Sequence, residues 1–240
     1  MKLYYSPGAC SLAPHILLRE AGGPVSLEKV DLRAKQTETG RDFWAINPKG
    51  YVPVLELDDG TIITEGVVIQ QYIADQVPDI RLAPRPGTPE RLRLDELLLF
   101  ISTELHKTYS PLFAATTPED AKPAFREKLG KRYDVIEAML ADGRPYLTGE
   151  TFSVADAYLY VMTTWSRGTG LDMDEWPAVT ALAARVAARP PFRPHLRPRV
   201  CRRRKAARPK LRERRRGRPG VTSSRVFFIS YFLYAIPIIG

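Results

Sequence analysis

The stretch from Gly50 to Gly66, GYVPVLELDDGTIITEG, admits few backbone conformations. Two β-prone runs, Val54–Leu57 and Thr61–Ile63, flank Asp58-Asp59-Gly60, and Asp-Gly between apolar runs is a hairpin signal. Pro53 stands directly before the first run. Proline has no N–H for a strand ladder, so it suits the first residue of a strand and not its interior. A cis bond at Pro53 turns the backbone of Val52 outward as a free edge, and such an edge takes an extended peptide by main-chain pairing. Glu65 and Gly66 fall where a helical pattern begins, so backbone N–H groups there can hold an anion. Together these parts suit a receptor for a small peptide that carries a carboxylate. They also suit a bare hairpin followed by a capped helix with no ligand.

The rest of the first eighty residues builds around this stretch. Lys2–Tyr5 reads as a short buried strand and Val25–Leu32 as a second. Ser11 is placed to cap a helix running to Ala21, with Gly22-Gly23 as its stop and Pro14 inside its first turn. Gln36–Ile46 reads as an irregular helix. Val68, Ile69, Tyr72 and Ile73 share one face of a helix from Glu65 to Val77. The order is β-α-β-α-β-β-α. The proline-rich residues 81–87 read as a linker between a first domain, 1–80, and a second, 88–192. The second domain is all helical. One helix opens at Thr88 and Pro89 and runs to Ser110, and its middle, Leu97–Ile101, is apolar all round, which predicts burial on several sides. Others span Pro118–Ala141, then Ser153–Ser166 behind a Ser153/Asp156 capping box, then Pro177–Ala188.

Charge separates a third segment. Residues 1–192 carry 21 basic and 26 acidic residues, net −5, whereas residues 193–240 carry 15 basic residues and only Glu213 as an acid, net +14. The formal net charge of +9 therefore belongs to the tail, and contact with nucleic acid or an anionic membrane is expected only through it. Such a run cannot bury a core and reads as disordered in isolation, or as non-native sequence such as a shifted reading frame. The apolar end, residues 226–240, falls short of the ~20 residues of a spanning helix. Cys10 and Cys201, one in the body and one in the tail, imply no disulfide framework and suit a reducing compartment. With no signal-peptide pattern at the N-terminus, the expected location is the cytoplasm.

Few residues carry chemistry. Cys10 lies one residue before the first helix, where backbone N–H groups and the helix dipole favour a thiolate; Ala13 stands where a CxxC pair would need its second cysteine. Leu99, Thr103 and His106 fall on one face by helical spacing, and Thr103 with His106 makes it polar. Lys35 precedes the second helical pattern and suits a carboxylate. Trp165 and Tyr158 suit an apolar pocket, with core packing as the default reading. No metal-ligand spacing, Walker loop, GxGxxG or Ser/His/Asp context is found, so no metal or cofactor is expected.

Five motifs in this order, Ser6-Pro-Gly-Ala-Cys-Ser11, Asn47-Pro-Lys-Gly-Tyr-Val-Pro-Val-Leu55, Thr64-Glu-Gly66, Thr103-Glu-Leu-His-Lys107 and Ser153-Val-Ala-Asp-Ala157, resemble the glutathione S-transferases, and within them the bacterial beta class. The resemblance covers residues 1 to about 192. It implies a thioredoxin-like N-terminal domain, a helical-bundle C-terminal domain, a homodimer, and conjugation of glutathione, as co-substrate, to small hydrophobic electrophiles in detoxification. It also implies residue roles. Val52, beside a cis Pro53, pairs with the cysteinyl unit. Glu65 and Gly66 hold the γ-glutamyl end, by backbone alone at Gly66, where similar proteins often have Ser. Lys35 meets the glycyl carboxylate, and Cys10, Thr103 and His106 face the sulfur. Leu99 departs from the polar residue, typically Asn, that reaches the partner's ligand in similar proteins. Two alternatives stay open: a glutathione-dependent thiol–disulfide reductase using Cys10, and a non-catalytic scaffold that binds hydrophobic ligands or partners.

Overall fold

The computed structural model describes residues 1–189, and the expectations for the tail, 193–240, lie outside them. β1 (Lys2–Tyr5) is the middle strand of a five-stranded sheet with the order β3-β2-β1-β4-β5. β2 (Ser26–Asp31) runs parallel to it and β4 (Val54–Glu56) antiparallel. β5 (Ile62–Ile63) and β3 (Gln36–Thr37) add antiparallel edges to β4 and β2. Both faces of the middle are covered, because alternate residues enter different cores. Leu3 and Leu55 pack with Leu17, Ile69 and Ile73 of α1 (Leu12–Ala21) and α3 (Gly66–Gln76). Tyr4 and Val54 pack on the other face with Val30, Val52 and Phe43, the last from α2 (Phe43–Ile46).

The expected helix over Gln36–Ile46 is replaced by β3 and the single turn of α2. Thr37 pairs opposite Val30 and is buried, so strand pairing takes the first residues. Asp42 then caps what remains by accepting from the Trp44 N–H at 2.9 Å, and winding starts only at Phe43. The hairpin forms as its turn predicts. Leu55 faces Ile63, the Gly60 N–H donates to the Leu57 carbonyl at 3.0 Å, and Gly60 has φ 84°, a conformation open chiefly to glycine. The Val52–Pro53 bond is cis.

In the helical part, Thr88 caps α4 (Pro89–Phe100) by accepting from the Arg91 N–H. The helix does not continue evenly to Ser110. Residues Ile101–His106 form a π-helical segment before α5 (Lys107–Phe113). Nor is its apolar middle buried all round: Leu98 and Ile101 are fully buried, but Leu99 is 57 % exposed. α6 (Lys122–Met139), α7 (Val154–Thr164) and α8 (Pro177–Ala187) complete the bundle. The capping box at α7 is present, and Asp156, fully buried, accepts from the N–H groups of Ser153 and Leu147 at 2.7 and 2.8 Å. Burial pushes its carboxyl up to about 6 against those bonds.

One apolar core runs from α1 and α3 through α4 to α7 and α8. Arg91 adds a polar lock: its guanidinium, nearly buried, donates to Asp75 at 2.7 Å and Gln71 at 2.8 Å on α3 and to Asp95 at 3.2 Å on α4. At the far end, Arg189 forks onto the buried Glu20 carboxylate of α1 with two bonds of 2.8 Å. Among the described residues, no helix is long and apolar enough to cross a membrane.

Candidate functional site

The loop from Ser6 to Ser11 is pinned from below. Ser11 does not cap α1 with its side chain; its hydroxyl, fully buried, accepts from the Ser6 N–H at 3.1 Å and lies 3.2 Å from the Ser6 carbonyl. The loop is thereby folded over α1, with Cys10 at its end. The Cys10 thiol donates to the Val52 carbonyl at 3.4 Å, so the thiol and the edge before Pro53 adjoin. From the helical side, the Trp165 indole donates to the Gly8 carbonyl at 2.8 Å.

These contacts border a cavity of about 550 Å³. The sheet domain contributes Cys10, Val52, Pro53, Glu65 and Gly66; the helical domain contributes Ser102, His106, Lys107, Phe113, Tyr158 and Trp165. Eight of the residues singled out from the sequence therefore meet at one cavity: Cys10, Val52, Pro53, Glu65, Gly66, His106, Tyr158 and Trp165. Lys35 and Thr103 are not in its lining. The Lys35 ammonium donates to the Gly50 carbonyl at 2.6 Å and lies 5.3 Å from the centre of the Trp44 ring. Thr103 is exposed, and its hydroxyl turns back to the Leu99 carbonyl at 3.0 Å. The π segment changes the residues per turn, so spacing by 3.6 misjudges which of them share a face with His106.

The polar groups differ in character. Burial pushes the Cys10 thiol up to about 11, more than its own N–H, the Lys107 charge and the Ser11 N–H lower it. The thiolate expected from the helix start is thus overturned: desolvation outweighs the dipole here. Burial, with Lys107, also brings His106 down to about 4, so its ring is neutral; Nδ1 lies 2.6 Å from the Tyr158 hydroxyl. Glu65 has φ 68°, a strained backbone for a residue with a side chain, at the start of α3. Its carboxyl is held below the usual range by the ammonium of Lys49, with the Tyr51 hydroxyl also donating to it. Phe113 and Trp165 meet edge to face at 5.3 Å and make the outer wall aromatic.

Residues missed in the sequence are Ser102, Lys107, Ser110, Phe113 and Gln70, all in the lining. Ser102 and Ser110 stand four residues either side of His106, a spacing that would have found them. Gln70 had a signal too, as an amide among the buried Ile69, Ile73 and Ala74. Among the described residues, no group of three His, Cys, Asp or Glu side chains is placed to hold a metal ion.

The arrangement defines a class: a thioredoxin-like sheet domain joined to an all-helical domain, with one cavity bordered by both. Family models match it in two parts, "Glutathione S-transferase, N-terminal domain" over residues 8–76 and "Glutathione S-transferase, C-terminal domain" over 100–190. The glutathione S-transferase GstA of Escherichia coli O157:H7 is 46% identical over 190 residues, spanning 79% of this chain and 94% of that protein. A sphingomonad glutathione S-transferase complexed with glutathione superposes with a TM-score of 0.77 at 48% identity, covering 80% of this chain and 94% of the other. A beta class glutathione S-transferase of Sphingomonas chungbukensis gives 0.77 at 46% identity with the same coverage. The chain belongs to the glutathione S-transferase family.

Proposed function

We propose that this protein is a glutathione transferase, joining the thiol of glutathione to small hydrophobic electrophiles. The observation that carries this reading is the two-sided cavity. One side offers a backbone edge at Val52, a helix start at Glu65–Gly66 and the Cys10 thiol; the other offers the aromatic wall of Phe113, Tyr158 and Trp165. A volume of about 550 Å³ suits a tripeptide and a small apolar partner.

In this reading the peptide lies extended along Val52, one carboxylate faces the N–H groups at the start of α3, and its sulfur sits beside Cys10. Cys10 stays a thiol, and its single S–H turns from the Val52 carbonyl to donate to the bound sulfur, which favours the glutathione thiolate. Exposed Lys107 adds positive potential. His106 is neutral; when Tyr158 donates to Nδ1, Nε2 carries the ring proton and acts as a donor. The thiolate attacks the electrophilic carbon, a C–S bond forms, and the leaving group departs with its electron pair while the sulfur's proton passes to solvent. Lys35 and Thr103 have no part in this reading within one chain. A homodimer, detoxification and a cytoplasmic location, where glutathione is the thiol pool, complete the proposal.

The high-lying thiol of Cys10 makes it a weak attacking group at neutral pH, which argues against disulfide exchange as the main activity. The test measures retention on immobilised glutathione and turnover of a chromogenic aryl halide against turnover of a glutathione mixed disulfide. Saturable dependence of aryl-halide turnover on glutathione is expected. Binding without turnover would favour the scaffold reading, and faster mixed-disulfide reduction would favour the reductase.

A further inference from the structure

His106 is bonded on one side only. Its Nδ1 lies 2.6 Å from the hydroxyl of Tyr158 on α7. Nε2 has no partner among the described residues and is not sealed from solvent, so it opens on the cavity that both residues line. Rings fix this pose: Trp165 and Tyr158 meet the imidazole edge to face at 5.0 and 5.9 Å. Both groups are uncharged at neutral pH, because burial lowers His106 to about 4 and raises Tyr158 well above its ordinary value. What remains open is the place of the ring proton. A phenol is a good donor and a poor acceptor, whereas a neutral imidazole accepts well at its bare nitrogen and is a weak acid at its N–H. The short contact therefore runs from the Tyr158 O–H to Nδ1, and the ring proton sits on Nε2. Ser102 acts in the same direction, since its side chain bonds to the phenol in the sense that eases release of the phenolic proton. Ser102 and His106 both belong to the π segment Ile101–His106, and such segments collect at functional sites.

We propose that Tyr158, supported by Ser102, is a positioning residue: by donating to Nδ1 it holds His106 as the tautomer whose Nε2–H serves the sulfur of the bound thiol. This rests on the reading of the cavity as a glutathione site. The bond does two things. It excludes the tautomer that would turn a nitrogen lone pair toward the thiolate. It also draws electron density from the ring, so Nε2–H becomes a stronger donor, as hydrogen bonds in a chain reinforce one another. A donor at the sulfur favours its anion over its thiol. Tyr158 thus sets the ionisation of the sulfur through His106. The charged and titratable groups that face the pair are Lys107 on α5, Cys10 before α1 and Glu65 before α3. Among the described residues none of the three bonds to either ring: Cys10 donates to Val52, and Glu65 accepts from Lys49 and Tyr51.

The experiment compares the full chain with Tyr158→Phe and Ser102→Ala. The imidazole nitrogens of isotope-labelled histidine are read by NMR without ligand and assigned with His106→Gln. Ionisation of bound glutathione is followed by its thiolate absorbance against pH, and binding is measured calorimetrically with S-methylglutathione, which has no thiol to ionise. The full chain should show a bare, hydrogen-bonded Nδ1 and a protonated Nε2. Tyr158→Phe should raise the pKa of the bound thiol, with about a fivefold fall in kcat/KM on the acid side of the profile, the worth of one neutral hydrogen bond. The two proteins should converge at alkaline pH, where both hold the thiolate. The Kd for S-methylglutathione should not change, which separates this effect from lost packing. A protonated Nδ1 in the full chain, or a Tyr158→Phe profile with its pKa unmoved, would overturn the proposal. Should Tyr158→Phe not fold, Ser102→Ala decides: an Nδ1 resonance moved toward the unbonded position supports the proposal, and an unmoved one overturns it. A full chain that binds no glutathione sinks the reading of the site, and the role toward its sulfur with it; the tautomer is read in the free protein and stands or falls separately.

Discussion

Trp165 and Gly8 are 157 positions apart and joined by one hydrogen bond, indole N–H to carbonyl at 2.8 Å. The bond ties the helical domain to the loop that ends at Cys10. The Trp165 ring is also the hub of an aromatic cluster, 5.0 Å from His106 and 5.6 Å from Tyr109 between ring centres. Trp165→Phe keeps most of the ring and removes the donor. A neutral hydrogen bond of about 1 kcal/mol then predicts a roughly fivefold fall in kcat/KM for conjugation, with Tm little changed. Steady-state kinetics at varied glutathione checks it; an unchanged kcat/KM would mean the loop holds its place without the bond.

Cys10 titrates near 11, so it stays protonated at physiological pH. In a Cys201→Ser background, iodoacetamide should modify it at pH 7 at least about tenfold more slowly than free cysteine, accelerating only above pH 10. The folded state holds this proton where the unfolded chain has released it, between about 9 and about 11. Cys10 therefore contributes stability below pH 9 that is lost as pH rises through that window. Several buried tyrosines act in the same direction, so the readout is the difference between this protein and its Cys10→Ala variant in urea at pH 8 and 10.5.

His106 is lowered to about 4 by burial. Between about 4 and its ordinary 6.5, the unfolded chain binds a proton that the folded one does not, so stability is lost as pH falls through that window. Urea unfolding at pH 7 and pH 5 should show this, and His106→Gln should flatten the dependence. An imidazole resonance that titrates near 6.5 in the folded protein would contradict the buried, neutral ring.

Arg189→Met leaves the Glu20 carboxylate, 5% exposed, without its fork of two bonds, and also lifts the guanidinium from the Phe152 ring at 4.0 Å. An uncompensated buried charge costs about 3–5 kcal/mol, so the urea midpoint should fall sharply. Glu20→Gln added to Arg189→Met should recover part of that loss. A chain ending at Phe192 keeps Arg189 and should match the full chain; one ending at Ala188 should behave like Arg189→Met.

Much of the architecture was legible because its signals are local. Asp58-Asp59-Gly60 placed the hairpin, Thr88-Pro89 opened α4, and Ser153 with Asp156 opened α7. The lost helix over Gln36–Ile46 was illegible for the opposite reason: Thr37 pairs with Val30, a partner that helical periodicity does not see. Leu99, Thr103 and His106 were grouped by ideal spacing; the segment that carries Thr103 and His106 is π-helical, and of the three only His106 lines the cavity. Such a segment is imposed by packing on both sides, and no residue type announces it.

What the sequence determined by itself is the hairpin, the openings of α4 and α7, Pro53 just before β4 and the placing of Cys10 at a helix start, since turns, caps and prolines act over a few residues. Tertiary structure alone decided the state of the groups. Whether Cys10 is thiol or thiolate depends on which atoms of distant segments surround it and how much water they displace. Desolvation is a property of that enclosure. The residues next to Cys10 in the chain favour a thiolate; burial in the folded protein pushes the thiol up to about 11, against the charge of Lys107 on α5.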